Sequence, residues 1–301
     1  MIAETLNAAF GIPGAFTLKE AAHNYVRANI STTRAEAAMY LQGAHLAQWQ
    51  PAGESPVLFL GTRSAFSPGE AIRGGIPVVF PWFGARGGGL HGFARTSLWD
   101  LQSANLKDDN LEMKLSLSPD TRTRALGFDG FRLEYAVRIG QSLELELVTY
   151  NQSTQTMHFE EALHTYIAVG EIRRTSLGGL AGALYLDAAD QFAEKRQAEA
   201  ELRFSGHTNS LYPDTAATCV LHDEVNRRLI SIEKSGSRTT VVWNPGEETI
   251  GKFPDLGADD WHRFVCVETA NAGSDAIALA PGATHRMAAR ITVEPEYGGS
   301  R

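Results

Sequence analysis

The stretch Leu143-Glu-Leu-Glu-Leu-Val-Thr-Tyr150 decides the fold class. Leu143, Leu145 and Leu147 fall on one face of an extended chain and Glu144 and Glu146 on the other, the pattern of a half-buried strand. Working outward, short runs rich in β-branched and aromatic residues recur between Gly, Pro, Asn and Asp punctuation. They occupy residues 25–30, 37–42, 57–60, 111–117 and 131–139 before it, and 228–233, 239–243, 264–268 and 287–293 after it. Strands at such short spacing, without regular helical alternation, predict an all-β sandwich or barrel. One segment, residues 187–203, is rich in Ala, Glu, Gln and Lys and is expected to be helical by propensity. No repeat, low-complexity block or linker divides the chain, so residues 1–301 are expected to form a single domain.

Composition narrows the function classes. With 43% hydrophobic and 21% charged residues the 301-residue chain is that of an ordinary globular protein. A net charge of -8 argues against nucleic acid, whose backbone is held by clustered Lys and Arg. A small anion remains compatible, because a few arginines in a pocket reverse the local field. Residues 1–10 include Glu4 and lack both a basic start and a continuous apolar run, and no window approaches a membrane span, so a cytoplasmic protein without membrane contact is expected. Cys219 and Cys266 lie in apolar surroundings and read as buried thiols. Asn29 and Asn151 begin glycosylation-type triplets that read as chance matches.

Three segments have compositions that are costly for a purely structural stretch. The first runs from Ala71-Ile-Arg-Gly-Gly-Ile-Pro-Val-Val-Phe-Pro-Trp-Phe-Gly84 into His91-Gly-Phe-Ala-Arg95. Paired glycines and two prolines fix an unusual backbone path from which Arg73, His91 and Arg95 project, either as binding groups or as solvated loop residues. Residues 87–92 also match G-x-G-x-x-G, but Pro77 and Pro81 precede them and no strand-turn-helix unit frames them. The second segment places His164 inside an apolar run, as a core histidine or as a tuned acid. In the third, Glu268 follows a buried-looking strand, and a carboxylate tolerates burial only when paired or catalytic; the alternative is a strand end facing water. His91, His164 and Glu268 together make a conceivable metal ligand set, but no local ligand spacing supports it, and no metal or other cofactor is expected.

Read in order, five blocks resemble the glucose-6-phosphate 1-epimerase group of the aldose 1-epimerase superfamily. They are Ile72-Arg-Gly-Gly-Ile-Pro-Val-Val-Phe-Pro-Trp-Phe-Gly, His91-Gly-Phe-Ala-Arg, Ala162-Leu-His-Thr-Tyr, Val242-Trp-Asn-Pro-Gly and Val265-Cys-Val-Glu-Thr-Ala. The resemblance implies a galactose-mutarotase-like β-supersandwich that holds a sugar on the concave face of a large sheet. It further implies Glu268 as general base, His164 as general acid, His91 as a second histidine on the sugar, and Arg73 and Arg95 on a phosphate or nearby hydroxyls. Where the family carries an aspartate, the alignment places Asn209 within Thr208-Asn-Ser-Leu-Tyr212; a shifted alignment would put Asp214 there. Asn can hydrogen-bond a hydroxyl but cannot be an anion.

These residue types suit anomer exchange, in which a base removes the C1 hydroxyl proton while an acid protonates the ring oxygen. Phe83, Phe93 and Trp243 are candidates for the apolar surface under the sugar, with core packing the expected role of at least one of them. The expected partner is a small sugar phosphate and the expected state a monomer. A non-catalytic sugar-phosphate sensor would use the same pocket without needing an acid/base pair. A glycoside hydrolase would need a second carboxyl flanking the bond, and the blocks offer no evident partner for Glu268.

Overall fold

In the computed structural model, which describes residues 2–87 and 89–296, the alternating segment becomes the strand Leu143–Asn151, with Leu143, Leu145 and Leu147 buried and Glu144 and Glu146 half-exposed. It pairs antiparallel with Phe131–Ile139 on one side and Thr284–Pro295 on the other. These three strands are the centre of a nine-stranded sheet. Its remaining members in spatial order are Glu201–Arg203, Thr175–Gly178, Cys219–Asp223 and Arg228–Ser235 at one end, and Asn110–Leu117 and Asp100–Lys107 at the other.

A second, eight-stranded sheet carries the functional groups. Its path runs Ala193–Arg196, Leu184–Asp187, Thr208–Tyr212, Thr239–Asn244, Phe264–Asn271, Glu161–Leu163, Val78–Val79, with Tyr166–Ala168 also paired to Phe264–Asn271. Thr239–Asn244 and Phe264–Asn271 are buried at every position. Their unbroken burial reflects two covered faces. Val242, Val265 and Val267 join one apolar cluster with Leu145, Tyr135 and Met287 of the nine-stranded sheet. The alternate residues Val241 and Ala270 form a small separate cluster with Val79 and Ala162, with Phe83 and Leu211 packed on it. Each fully buried Leu, Val or Phe contributes about 1.5–3 kcal/mol to stability. A four-stranded antiparallel sheet, Phe16–Glu20 to His45–Pro51, completes the all-β architecture.

Several expectations are corrected. Residues 187–203 are not a helix: Leu184–Asp187 pairs with Ala193–Arg196 around the 3-10 turn Ala188–Asp190, and Glu201–Arg203 pairs with Thr175–Gly178. Lys195 reaches both Asp187 at 2.7 Å and Asp190 at 2.8 Å, so tertiary pairing overrides helical propensity. Residues 57–60 form isolated bridges, Leu58 to Ile167 and Leu60 to Gly74, rather than a regular strand. Asn151 is buried and its amide donates to Gln155 and Leu279 carbonyls, which leaves no glycan acceptor. Cys219 and Cys266 are buried, free thiols, as expected. Gly88, within the G-x-G-x-x-G match, and the chain ends at Met1 and Tyr297 to Arg301 lie outside the described residues. No helix among the described residues is long and apolar enough to cross a membrane.

Candidate functional site

On the eight-stranded sheet, strand register sets the floor of a cleft. Leu211 pairs with Val241 and Val241 with Glu268; Asn209 pairs with Trp243 and Trp243 with Cys266. Paired residues project on the same face, so these side chains form two adjoining rows. The resulting cleft, of about 420 Å³, is lined by Arg73, His91, His164, Asn209 and Glu268 among others. Five of the six expected site residues therefore converge on one surface from segments far apart in the chain. The sixth, Arg95, lies behind that wall, its Nη2 donating to the Leu90 carbonyl at 2.8 Å. Asp214 is outside the cleft, exposed and ion-paired to Arg238, so it is Asn209 that faces the site.

His164 Nε2 lies 3.4 Å from Glu268 Oε1, and the two side chains are 8% and 1% exposed. His164 Nδ1 and Glu268 Oε2 have no protein partner. Burial pushes the Glu268 carboxyl well above its ordinary range, against the pull of Arg95. Burial, reinforced by His91, Arg95 and Arg73, pushes the His164 imidazole well below its ordinary range. Both directions favour a neutral pair with the shared proton on Glu268. The ring of His164 stacks on Tyr166 at 4.9 Å and 10° and meets Trp243 edge-on, which fixes its orientation.

His91 reaches the same space from a strained loop. Its backbone φ is 59°, in the left-handed region. The next residue must be glycine: a side chain on Gly92, at φ 68°, would overlap the Phe80 carbonyl. His91 Nδ1 accepts a bond from the Gly84 amide at 3.1 Å. Burial together with Arg95 and Arg73 lowers the ring's pKa to about 3, so it is neutral with its proton on Nε2, which is left as a donor.

Arg73 is locked from two sides, donating from Nε to Asp255 Oδ2 at 2.8 Å and from Nη1 to the Tyr166 hydroxyl at 3.0 Å, with Phe253 under its guanidinium. Burial works against its charge, but Tyr166 and Asp255 outweigh burial and raise its pKa. Burial and the neighbouring Arg73 bring Arg95 down to about 10, which still leaves it cationic at neutral pH. Phe83 and Trp243 line the cleft, whereas Phe93 does not: it is 2% exposed and packs among Phe80, Phe128 and Phe131.

Sequence reasoning passed over Glu160, Tyr166, Phe253 and Asp255. Glu160 is the most consequential, since its buried carboxylate accepts from Phe83 N at 2.9 Å, Arg86 Nη2 at 2.6 Å and Gly273 N at 2.9 Å, tying two loops of the cleft wall together. Its one available signal was a carboxylate directly ahead of a buried strand. Glu160 is a second carboxylate in the cleft, but its two oxygens are already occupied by those three protein donors. The described residues also bring donor atoms of His164, Cys266 and Glu268 within 4.8 Å of one another, without His91. Arg73 and Arg95 beside them oppose a cation, and burial next to Glu268 holds the Cys266 thiol protonated.

Residues 28–292 match the model of the aldose 1-epimerase family. The chain is 35% identical, over 79% of its length and 80% of the relative's, to an Escherichia coli (strain K12) protein named "Putative glucose-6-phosphate 1-epimerase". The crystal structure of a "putative mutarotase" from Salmonella typhimurium superposes with a TM-score of 0.89 at 27% identity, covering 98% of this chain and all of that one (100%). A galactose mutarotase related enzyme from Lactobacillus acidophilus shares the fold at a TM-score of 0.69 and 14% identity, over 91% and 99% of the two chains.

Proposed function

The chain belongs to the aldose 1-epimerase family and is an isomerase, and from that premise we propose that it interconverts the α and β anomers of an aldohexose 6-phosphate by acid/base ring opening. The observation that carries this reading is the approach of His164 and Glu268 at the floor of a cleft that also presents a neutral histidine and a locked arginine.

In the productive state the pair's shared proton sits on His164. Glu268 takes the proton from the C1 hydroxyl while His164 gives its own to the ring oxygen, and the C1 to ring-oxygen bond breaks to leave an aldehyde. Rotation about C1 to C2 presents the other carbonyl face. Closure runs the transfers backwards, so the pair ends with the protons it began with. His91 Nε2–H and Asn209 are suited to sugar hydroxyls, and Trp243 and Phe83 supply apolar surface. Arg73 keeps donors beyond those bound to Asp255 and Tyr166, which fits a phosphate, with Arg95 adding positive field behind it. This reading routes no step through a metal or other cofactor.

The same proposal includes a single domain, supported by an apolar cluster drawing on residues from Ala3 to Ile291, and a monomeric, cytoplasmic protein, for which the buried free thiols suit a reducing compartment. The decisive experiment is polarimetry or exchange NMR on freshly dissolved α-glucose 6-phosphate beside glucose and galactose. Faster equilibration with added protein, greatest for the phosphorylated sugar, is expected. Binding without acceleration would instead make the protein a sensor.

A further inference from the structure

Two exposed apolar side chains stand at the rim of the cleft, Phe192 at 59% and Leu90 at 46% exposure. They come from opposite ends of the eight-stranded sheet. Leu90 sits on the hairpin Ala85–Arg86/Gly89–Leu90, which follows the edge strand Val78–Val79. Phe192 sits on the turn joining Leu184–Asp187 to Ala193–Arg196 at the other edge. Exposed aromatic surface is unfavourable in water unless something covers it, and here both patches border the same concavity.

The turn that carries Phe192 is strained. Gln191 at φ 52° and Phe192 at φ 61° both occupy the left-handed region, in which an aromatic residue is an outlier. It is held there by several contacts: Phe192 N donates to Asp187 O at 2.8 Å, Ala189 N donates to Asp187 Oδ1 at 3.0 Å, and Lys195 bridges Asp187 and Asp190. The 3-10 turn Ala188–Asp190 packs on the strand Thr208–Tyr212, which places Asn209 and Leu211 on the cleft floor beside it. A hydrophobic ring is thus held out of the core, at a cleft whose floor is lined with proton-transfer and hydrogen-bonding groups.

We propose that Phe192 is a substrate-binding residue of the cleft, an aromatic plate that covers the apolar C–H face of the bound pyranose ring while the hydroxyls point to the polar floor. The inference rests on the sugar reading given above. A pyranose presents carbon-bound hydrogens on its faces and hydroxyls around its edge, so an aromatic face at the mouth and polar groups below complement it. Phe192 touches no transferring proton. It binds the closed rings of ground state and products alike, so its removal is expected to act on KM rather than kcat.

The test compares wild type, Phe192→Ala, Phe192→Tyr and Lys195→Ala by exchange NMR on glucose 6-phosphate. Phe192→Ala is expected to raise KM about 3- to 15-fold with kcat within about twofold, the span of one aromatic contact. Phe192→Tyr should restore KM, and Lys195→Ala, which only loosens the turn, should raise it in the same direction. An unchanged melting temperature is expected from so exposed a side chain. KM for Phe192→Ala within twofold of wild type, or a loss confined to kcat, overturns the proposal. Should the wild type fail to accelerate exchange, the isomerase reading fails by itself. Saturation-transfer NMR of glucose 6-phosphate binding then decides the role of Phe192: weaker binding by Phe192→Ala supports it, while equal binding, or none by the wild type, overturns it.

Discussion

His164 Nε2 and Glu268 Oε1 lie 3.4 Å apart at a place where burial disfavours the charge of each. A lone buried carboxylate or imidazole would simply stay neutral. A pair exchanging one proton can ionise without changing its total charge, which, on the proposed reading, lets a buried pair perform acid/base work at both oxygens of the anomeric centre.

Removing either member should therefore stop the chemistry while sparing binding. Glu268→Gln keeps shape and reach but cannot accept a proton, and His164→Ala removes the acid. Each is expected to lower kcat about 100- to 10,000-fold, measured by exchange NMR after subtracting the uncatalysed rate. Near wild-type turnover by Glu268→Gln would end this assignment.

The pH profile should be bell-shaped with its limbs assigned in reverse of the ordinary order. The active pair holds one shared proton. With the carboxyl raised and the imidazole lowered, gaining a second proton occurs on His164, below its ordinary 6.5, and losing the shared one occurs from Glu268, above its ordinary 4.5. Activity is thus lost on the acid side by imidazole protonation and on the alkaline side by carboxyl ionisation. Following the two groups by NMR across the profile would test the order, and a carboxyl that ionises on the acid limb would refute it.

Arg73→Ala should raise KM for a phosphorylated hexose at least about tenfold more than for the free sugar, because a charge-assisted contact of about 1.5–3 kcal/mol is lost for one substrate only. Arg95→Ala is the sharper comparison. Its contact with the Leu90 carbonyl means that equal losses for both sugars would make it a support of the loop carrying His91, whereas a phosphate-selective loss would make it a ligand.

Asn209→Asp introduces an anion beside the sugar-binding floor without altering the proton-transfer pair. The reaction should persist while the relative rates for glucose, galactose and their 6-phosphates shift, with phosphorylated substrates losing most. Unchanged ratios across all four would take Asn209 out of substrate recognition.

Glu160→Ala should loosen the cleft wall. It removes the charged acceptor of the half-buried Phe83 amide and of the exposed Gly273 amide, so a stability loss of about 1–3 kcal/mol is expected in urea unfolding. Activity in the folded fraction should fall through KM for every sugar alike, since the clamp holds the loop rather than the reacting atoms. Unaltered stability would show the clamp to be dispensable.

Much of the fold was legible because its signals are local. The alternation of residues 143–147 needs only the two-residue repeat of a strand, and residues 131–139 became a strand with those bounds. Residues 187–203 misled because helical propensity is also local, while their actual state depends on pairing with distant strands and on the Lys195 clamp. At the site, Arg73, His91, His164 and Glu268 stood out by type and setting, and Asn209 only through the family resemblance. Glu160, Asp255 and Phe192 did not, because what marks them is a contact with residues remote in the chain or an unusual backbone angle.

Sequence by itself thus determined the central strands of the larger sheet, the residue types available for proton transfer and the glycines without which the loop from Gly74 to Gly92 could not close. Tertiary structure alone decided that Glu268 meets His164, that Asn209 rather than Asp214 faces the cleft, and that the carboxyl is raised while the imidazole is lowered. The reason is physical. Side-chain alternation and backbone freedom are properties of neighbouring residues, whereas desolvation and juxtaposition exist only once strands about a hundred residues apart have paired in a single register.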